Sequence, residues 1–267
     1  MANEKKLDPK LVKEAKKAAA GPLGQEMARF SLRFSSALYF GKPPIKGSKP
    51  NIKNGTATVI NFGNEPIIIT AQHVIQSYKD WLMKDKDLIF QIGNLKIDPL
   101  PRIISESKKH DLVTLRLTEK EREEIAQGEE IGKFAYSPPS WPPDLPVEKD
   151  FITFGGFPGT WRQYPASNEI IFDTFSCGAE EIASVSQDKF IVKFSRKDWV
   201  ESFNNHQHKK LCDLGGLSGS PCFLIKKLPS NILTFSLIGI VFEFSKMADA
   251  MYVTMVHYIN KNGVIDE

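Results

Sequence analysis

The sequence predicts an all-β fold in two halves, and two observations lead to this prediction. Short runs rich in Ile, Val, Phe and Thr alternate with Gly, Pro, Asn and Asp, which is typical of antiparallel strands and their turns. No helical patterns alternate with these runs, which favours barrels or a sandwich over a parallel sheet. The segment 137–150 holds five prolines. Because proline cannot donate a ladder hydrogen bond, we expect a linker between two β halves there.

The predicted elements follow from this texture in chain order. Residues 1–24 are rich in Lys and Ala with apolar residues near helical spacing, and they predict a short helix or frayed tail that ends at Gly21-Pro22. The charged stretch 118–132 predicts a surface helix or loop. The candidate strands are 29–39, 55–62, 66–70, 87–92, 112–117, 151–155, 168–175, 189–194, 221–226, 233–242 and 251–255.

Composition excludes several classes of protein. A chain of 267 residues with 41% hydrophobic residues can bury a full core, which excludes disorder and a fibrous fold. The 35 basic and 32 acidic residues nearly cancel, so no nucleic-acid partner is predicted. No apolar stretch is long enough to span a bilayer and the first residues lack the apolar core of a signal peptide, so we expect a cytoplasmic protein with no membrane partner.

Metal and disulfide sites are not expected either. The three cysteines, Cys177, Cys212 and Cys222, form no CxxC spacing and leave one unpaired in any disulfide scheme. His206 and His208 have no third ligand nearby in sequence and are interpreted as part of a polar loop. The sequence therefore predicts no metal and no cofactor.

A glycine-rich turn provides a candidate nucleophile, Ser218, in the segment Gly215-Gly216-Leu217-Ser218-Gly219-Ser220-Pro221. An acyl-transfer nucleophile needs such a turn, because backbone N–H groups must face the oxygen that becomes negative in the tetrahedral intermediate. Glycine adopts the required positive φ at little cost. The N–H groups of Gly216 and Ser218 are the candidate oxyanion hole. The segment alone is equally well explained as a surface turn before a strand.

A serine nucleophile also needs a histidine base and a group that orients that base. The apolar run 67–69 ends in Thr-Ala and delivers His73 at the start of a predicted helical turn. Asp111 stands at the mouth of the alternating strand 112–117 and could hold the imidazole. Each residue alone has a structural alternative, as a satisfied core histidine and as a strand-end turn former.

Together the three segments are far more specific than any one of them. Thr-Ala-x-His, His-Asp-Leu-Val-x-Leu and Gly-x-Ser-Gly-Ser-Pro, in the order His, Asp, Ser, resemble the trypsin-like (chymotrypsin-fold) serine peptidase family over about residues 50–260, and its bacterial, intracellular members in particular. The resemblance implies a His73, Asp111, Ser218 triad that cleaves a polypeptide substrate through an acyl-enzyme. It also implies two antiparallel six-stranded β-barrels.

Domain boundaries follow from the resemblance and the linker. We expect an N-terminal extension with a short helix at 1–45, a first barrel at 46–136, the linker at 137–150 and a second barrel at 151–267. His73 and Asp111 fall in the first barrel and Ser218 in the second. The active site is therefore expected in the cleft between them.

The resemblance also implies a substrate pocket. Its base falls near Cys212 and Asp213, and the end of the strand 237–244 lines its wall with Phe242, Glu243 and Phe244. Asp213 could attract a basic side chain of the substrate, but an Asp in a loop is as readily a turn former.

Three positions depart from the secreted members of the family. Val74 and Leu214 stand where secreted members carry cysteines, so disulfide stapling is not expected. Leu217 stands where digestive and clotting members place an Asp that pairs with a newly cut N-terminus, so activation by clipping is not expected. Because an unstapled peptidase inside a cell requires control, we expect a regulatory protein partner, or the segment 1–45, to order a collapsed Ser218 turn.

Two alternative functions remain open from sequence. The chain could be a catalytically silent pseudoprotease that uses the same fold as a peptide-binding or scaffolding module. The same acyl-transfer site could instead cleave an ester or amide other than a peptide bond.

Overall fold

The structure is a computed structural model, and it describes residues 13–14, 17–18, 20–42, 50–126, 134–166, 169–193 and 213–267. Cys212, His206 and His208 lie outside the described residues. The described helices are α1 (Pro22–Leu32), α2 (Gln72–Leu82) and α3 (Glu119–Ile125). None of them combines the length and the apolar character that crossing a bilayer requires.

The described strands fall into two sets, one before and one after the linker. Those before it are β1 (Ser35–Gly41), β2 (Ile52–Ile60), β3 (Ile67–Ala71), β4 (Ile89–Ile92), β5 (Leu95–Lys96), β6 (Ile103–Ser107) and β7 (Leu112–Arg116). Those after it are β8 (Phe151–Gly156), β9 (Arg162–Ala166), β10 (Glu169–Phe172), β11 (Phe175–Val185), β12 (Lys189–Lys193), β13 (Pro221–Lys227), β14 (Leu233–Ser245) and β15 (Ala250–Met255).

The first half is a curled antiparallel sheet of seven strands in the order β5-β4-β1-β2-β3-β7-β6. The predicted all-β, two-part architecture is confirmed, but this half has one more strand than the six expected and no described pairing closes it. Closure would require β5 to pair with β6, and β5 is only two residues long. Strand β1 lies inside the segment 1–45, and it pairs with both β2 and β4 in this sheet.

The second half is a closed six-stranded barrel in the order β11-β12-β15-β14-β13-β8, as the sequence predicts. Its interior is a single apolar cluster that includes Ile152, Phe154, Phe190 and Met251, each at most 1% exposed. The hairpin of β9 and β10 lies outside the barrel as a separate two-stranded sheet.

Helix α1 corrects the prediction for the N-terminal region. The sequence predicted a helix that ends at Gly21-Pro22 and a strand that begins at residue 29, whereas α1 begins at Pro22 and runs to Leu32. Proline suits the first turn of a helix because the N–H that it lacks has no helical partner there. The helix packs on the second barrel, where the ring of Phe30 stacks on that of Phe235 with centroids 4.1 Å apart.

An apolar cluster joins the two halves. Ile60 and Ile69 from the first sheet pack with Phe223 and Ile240 from the second barrel. Tyr136, just before the linker, is part of this cluster and its hydroxyl donates to the carbonyl oxygen of Phe235 at 3.1 Å. This shared core fixes the position of one half against the other, and so fixes the cleft between them.

Candidate active site

Pairing between β3 and β7 brings His73 and Asp111 together. The two strands are antiparallel, and Ala71 lies opposite Leu112. His73 follows β3 as the second residue of α2, and Asp111 immediately precedes β7. Two segments distant in sequence thus end at the same point of the sheet.

The Asp111 carboxylate holds His73 through two hydrogen bonds. Its Oδ1 accepts from the backbone N–H of His73 at 2.8 Å, and its Oδ2 lies 2.7 Å from His73 Nδ1. Asp111 has a φ of 52°, in the left-handed region that Asp tolerates better than most residues. Its backbone carbonyl also accepts from the N–H of Gln72 at 3.1 Å. With Nδ1 donating to the carboxylate, Nε2 is left as the basic nitrogen.

The Ser218 turn lies against β2 and the start of α2. The N–H of Thr56 donates to the Ser218 carbonyl oxygen at 2.8 Å. A Cβ on Gly55 would lie 3.1 Å from that same oxygen and 3.1 Å from the methyl groups of Val74, the residue after His73. The nucleophile turn from the second barrel and the histidine from the first half therefore meet at Gly55.

The hydroxyl of Ser218 is bonded to a different partner than the one a triad requires. Its Oγ donates to the carbonyl oxygen of Phe242 at 3.0 Å, and within the described ranges it has no hydrogen bond with His73. Phe242 sits at a bulge of β14, where the pairing with β15 shifts between Val241 and Glu243. Bulges re-aim the backbone beside active sites. The structure thus forms the His73–Asp111 half of a triad with Ser218 close by.

The amides of Gly216 and Ser218 are available to an oxyanion. Neither N–H has an acceptor among the residues that the structure describes. Gly216 adopts a φ of 104°, which requires glycine. The carbonyl of Gly215 accepts from the N–H of Gly159 at 2.6 Å, and because a trans peptide directs C=O and N–H to opposite sides, this bond turns the Gly216 N–H away from Gly159.

Two threonines of β2 fasten the turn from the first half, and sequence reasoning missed both. Thr56 Oγ1 donates to the Gly216 carbonyl at 3.0 Å and accepts from the N–H of Phe157 at 3.2 Å. Thr58 Oγ1 donates to the Gly219 carbonyl at 2.7 Å. Both threonines are fully buried. A threonine in a strand is ordinary, so the sequence carries no signal of this role.

Comparisons with known proteins identify no family for this chain. No protein-family model matches it, and no curated protein matches it. Among solved structures, it is similar to the Rv3671c protease of M. tuberculosis in its active form, with 13% identity and a TM-score of 0.40 over 93% of this chain and 82% of that one. It is also similar to a chain from a study of the intrinsically disordered Sesbania mosaic virus VPg protein, with 15% identity and a TM-score of 0.40 over 85% and 93% of the two chains.

Leu217 is an apolar anchor of the turn. It is 1% exposed and lies in the core of the second barrel with Leu214 and Trp161. The side chain therefore occupies a site where a carboxylate would be buried among apolar groups. Burial of Leu217 provides an attachment for the Ser218 turn that needs no ion pair.

The residues predicted for the substrate pocket have different surroundings. Asp213 is exposed, and its Oδ1 accepts from the N–H of Gly215 at 2.9 Å, which is the contact of a turn former. Glu243 is exposed, and Phe244 packs against the core of the second barrel. Phe242 packs against the core of the first half, and Lys189 Nζ lies 4.7 Å from the centroid of its ring.

Strand β14 offers an edge beside Ser218. Its pairing with β13 ends at Ile240, whereas its pairing with β15 continues to Ser245. Within the described ranges no strand pairs with the side of β14 that faces the Ser218 turn beyond Ile240. No group of three or more His, Cys, Asp or Glu side chains in those ranges is placed to hold a metal ion.

Proposed function

We propose that this chain is a serine endopeptidase that hydrolyses peptide bonds with Ser218 as nucleophile. The observation that supports this most is the short contact of 2.7 Å between Asp111 Oδ2 and His73 Nδ1, next to a turn whose Gly216 and Ser218 amides are unpaired within the described ranges. A histidine oriented by a carboxylate and a preformed pair of amides are the two requirements of acyl transfer by serine.

The reaction begins when the Ser218 hydroxyl leaves the Phe242 carbonyl and turns towards His73 Nε2. His73 then takes the hydroxyl proton as Oγ attacks the substrate carbonyl, and Asp111 stabilises the imidazolium that forms. The amides of Gly216 and Ser218 bind the oxyanion. His73 gives the proton to the leaving amine, and water attacks the acyl-enzyme by the same steps in reverse. No cofactor takes part in this scheme.

The edge of β14 fits the acyl half of an extended peptide. A peptide that adds to a sheet edge gains main-chain hydrogen bonds, and its alternate side chains reach pockets. The edge beyond Ile240 lies next to Phe242, whose carbonyl accepts from the nucleophile. A peptide on this edge would therefore present its carbonyl to Ser218.

Peptide cleavage tests the proposal directly. The wild-type chain is incubated with a mixture of unstructured peptides, and new termini are identified by mass spectrometry. Ser218→Ala should abolish cleavage, and Asp111→Asn should lower kcat about 10⁴-fold because it leaves the wrong imidazole tautomer. Cleavage that survives Ser218→Ala would overturn the assignment.

We also propose that activity depends on an ordering event, brought about by a protein partner or by segment 1–45. In the cytoplasmic location that the sequence predicts, an unregulated peptidase would be harmful. Segment 1–45 reaches the site: Ser35 Oγ donates to the carbonyl of Gly155 at 3.2 Å. The next residue, Gly156, has no room for a Cβ because Thr56, Leu217 and Ser220 lie against it.

The rate of fluorophosphonate labelling tests this control. The isolated chain, the chain with candidate partners and a chain lacking residues 1–19 are compared over time. We expect a partner, or the presence of the N-terminal segment, to raise the rate. Complete and equally fast labelling in all three samples would contradict the proposal.

The pseudoprotease alternative is favoured by one observation, the bond from Ser218 Oγ to Phe242 instead of to His73. A chain locked in that state would bind peptides without cleaving them. Binding of peptides that Ser218→Ala leaves unchanged, with no turnover by the wild-type chain, would favour the alternative. A turnover rate that does not rise with peptide length would instead favour a small ester or amide substrate.

A further inference from the structure

Arg162 is a half-buried cation at the junction of the two halves. Its Nε donates to the carbonyl oxygen of Gly159 at 2.6 Å, and its Nη1 donates to the carbonyl oxygen of Ile52 at 3.0 Å. Both acceptors are neutral. Elsewhere, Arg102 meets the carboxylate of Glu121 at 2.6 Å, but no carboxylate among the described residues pairs with Arg162.

The two backbone contacts leave part of the guanidinium unused. A guanidinium carries five N–H donors in a planar fork that matches a carboxylate. Two of these donors are used, and the fork is held in place by carbonyls from two different segments. A partly desolvated charge without a counter-ion favours the binding of an anion.

Neighbouring carboxylates do not neutralise this cation. Phe172 lies opposite Arg162 in the hairpin of β9 and β10, and the next residue, Asp173, accepts from Gln163 Nε2 at 2.8 Å. Phe172 itself packs near Tyr39, with ring centroids 5.3 Å apart. The surroundings of Arg162 are thus an aromatic wall and backbone carbonyls.

The position of Arg162 relative to Ser218 indicates which part of a substrate it would meet. Gly159 accepts from Arg162 with its carbonyl and donates with its N–H to Gly215, where the Ser218 turn begins. Phe242, on β14, contacts Ser218 Oγ. If the acyl half of the peptide lies on β14, the leaving half runs away from β14, along Ile52 and Arg162.

We propose that Arg162 forms a carboxylate subsite for the leaving half of the substrate. Its ligand is either an acidic side chain just beyond the scissile bond or the free C-terminal carboxylate of a short leaving peptide. This inference rests on the proposed peptidase function, because that function sets the direction of the bound peptide.

Matched substrates test the subsite. Peptides that differ only in Glu or Gln at the first or second position after the scissile bond are compared, together with peptides that end in a carboxylate or an amide. We expect the wild-type chain to prefer the carboxylate by about tenfold in kcat/KM, which is the low end for a charge-assisted hydrogen bond. The pair of peptides that shows the preference identifies which carboxylate is bound.

Arg162→Gln should bring this ratio close to one, and Arg162→Lys should keep part of it because the charge remains without the fork. Loss of the tie between Gly159 and Ile52 would slow both members of a peptide pair equally, and so would leave the ratio unchanged. A wild-type ratio near one, or a preference that survives Arg162→Gln, overturns the inference.

A binding measurement separates this inference from the proposed function. The Ser218→Ala chain, with and without Arg162→Gln, is titrated with the same peptides carrying a fluorescent label. An acid preference that depends on Arg162, together with no cleavage by the wild-type chain, would keep the subsite and reject the peptidase. Cleavage without an acid preference would keep the peptidase and reject the subsite, and absence of the preference from both measurements also rejects it.

Discussion

At the scale of single residues, the Gly159 N–H determines how the first oxyanion amide is presented. It holds the Gly215 carbonyl at 2.6 Å, and reversal of that peptide would point the Gly216 N–H out of the cleft. Gly159→Pro removes the donor, whereas Gly159→Ala keeps it. Both add a Cβ at 2.5 Å from Asn54 Oδ1, so the clash is common to the two variants.

We therefore expect Gly159→Pro to lower kcat at least 100-fold relative to Gly159→Ala, which is the effect of losing one oxyanion donor. The measurement is steady-state hydrolysis of one peptide by both variants. Equal kcat values would contradict the assigned role of this N–H.

The residues that react could be predicted from sequence, whereas those that hold them could not. His73, Asp111 and Ser218 stand in short motifs, because the chemistry restricts their neighbours to small or turn-forming residues. Thr56 acts on the Ser218 turn from a strand about 160 residues earlier, at a register that only the packing of the two halves defines. A sequence pattern reports local constraint and is silent about such contacts.

At the scale of elements, α1 shows where local pattern and packing disagree. Residues 29–32 have the apolar content of a strand, but α1 covers them and buries Leu32 fully. β11 was predicted only in its first residue, since bulges at Cys177/Glu180 and Ile182/Ser184 interrupt its alternation. Strands without bulges, such as β3 and β7, were found within a residue of their ends.

The packing of α1 on the second barrel predicts a measurable stabilisation. The half-buried ring of Phe30 contacts those of Phe235 and Phe223, with centroids 4.1 and 5.1 Å apart. Phe30→Ala should lower the free energy of unfolding by about 2 kcal/mol, less than for a fully buried ring. Urea unfolding measures this, with Leu23→Ala, at a position 66% exposed on the same helix, as the control. Equal effects of both changes would contradict the packing.

At the scale of the whole molecule, the interface between the halves contains a titratable cluster. His110, fully buried, stacks on Tyr258 with centroids 4.1 Å apart, and Tyr258 also stacks on His257 at 4.0 Å. Burial lowers the pKa of His110, and Lys109 lowers it further; Asp188 and Glu267 oppose this shift, and His257 adds to it. Burial also lowers the pKa of His257.

The direction of these shifts predicts loss of stability in mild acid. A histidine whose pKa is lower in the folded chain binds its proton more readily when unfolded, so stability falls as the pH drops below about 6.5. His110→Phe keeps the ring stacking and removes the titration, and it should flatten the dependence of Tm on pH between pH 7 and pH 5.5. His257→Phe should flatten it in part. An unchanged slope in both variants would contradict a role for this cluster.

The central claim is that Ser218 is a nucleophile activated by His73. The most direct measurement is reaction with a fluorophosphonate, followed by mass spectrometry that locates the adduct, in the wild-type chain and in His73→Ala. The account predicts one adduct, on Ser218, that is lost or strongly slowed when His73 is replaced. An adduct on another residue, no adduct at Ser218 even with candidate partners, or labelling of Ser218 that is indifferent to His73→Ala would contradict it.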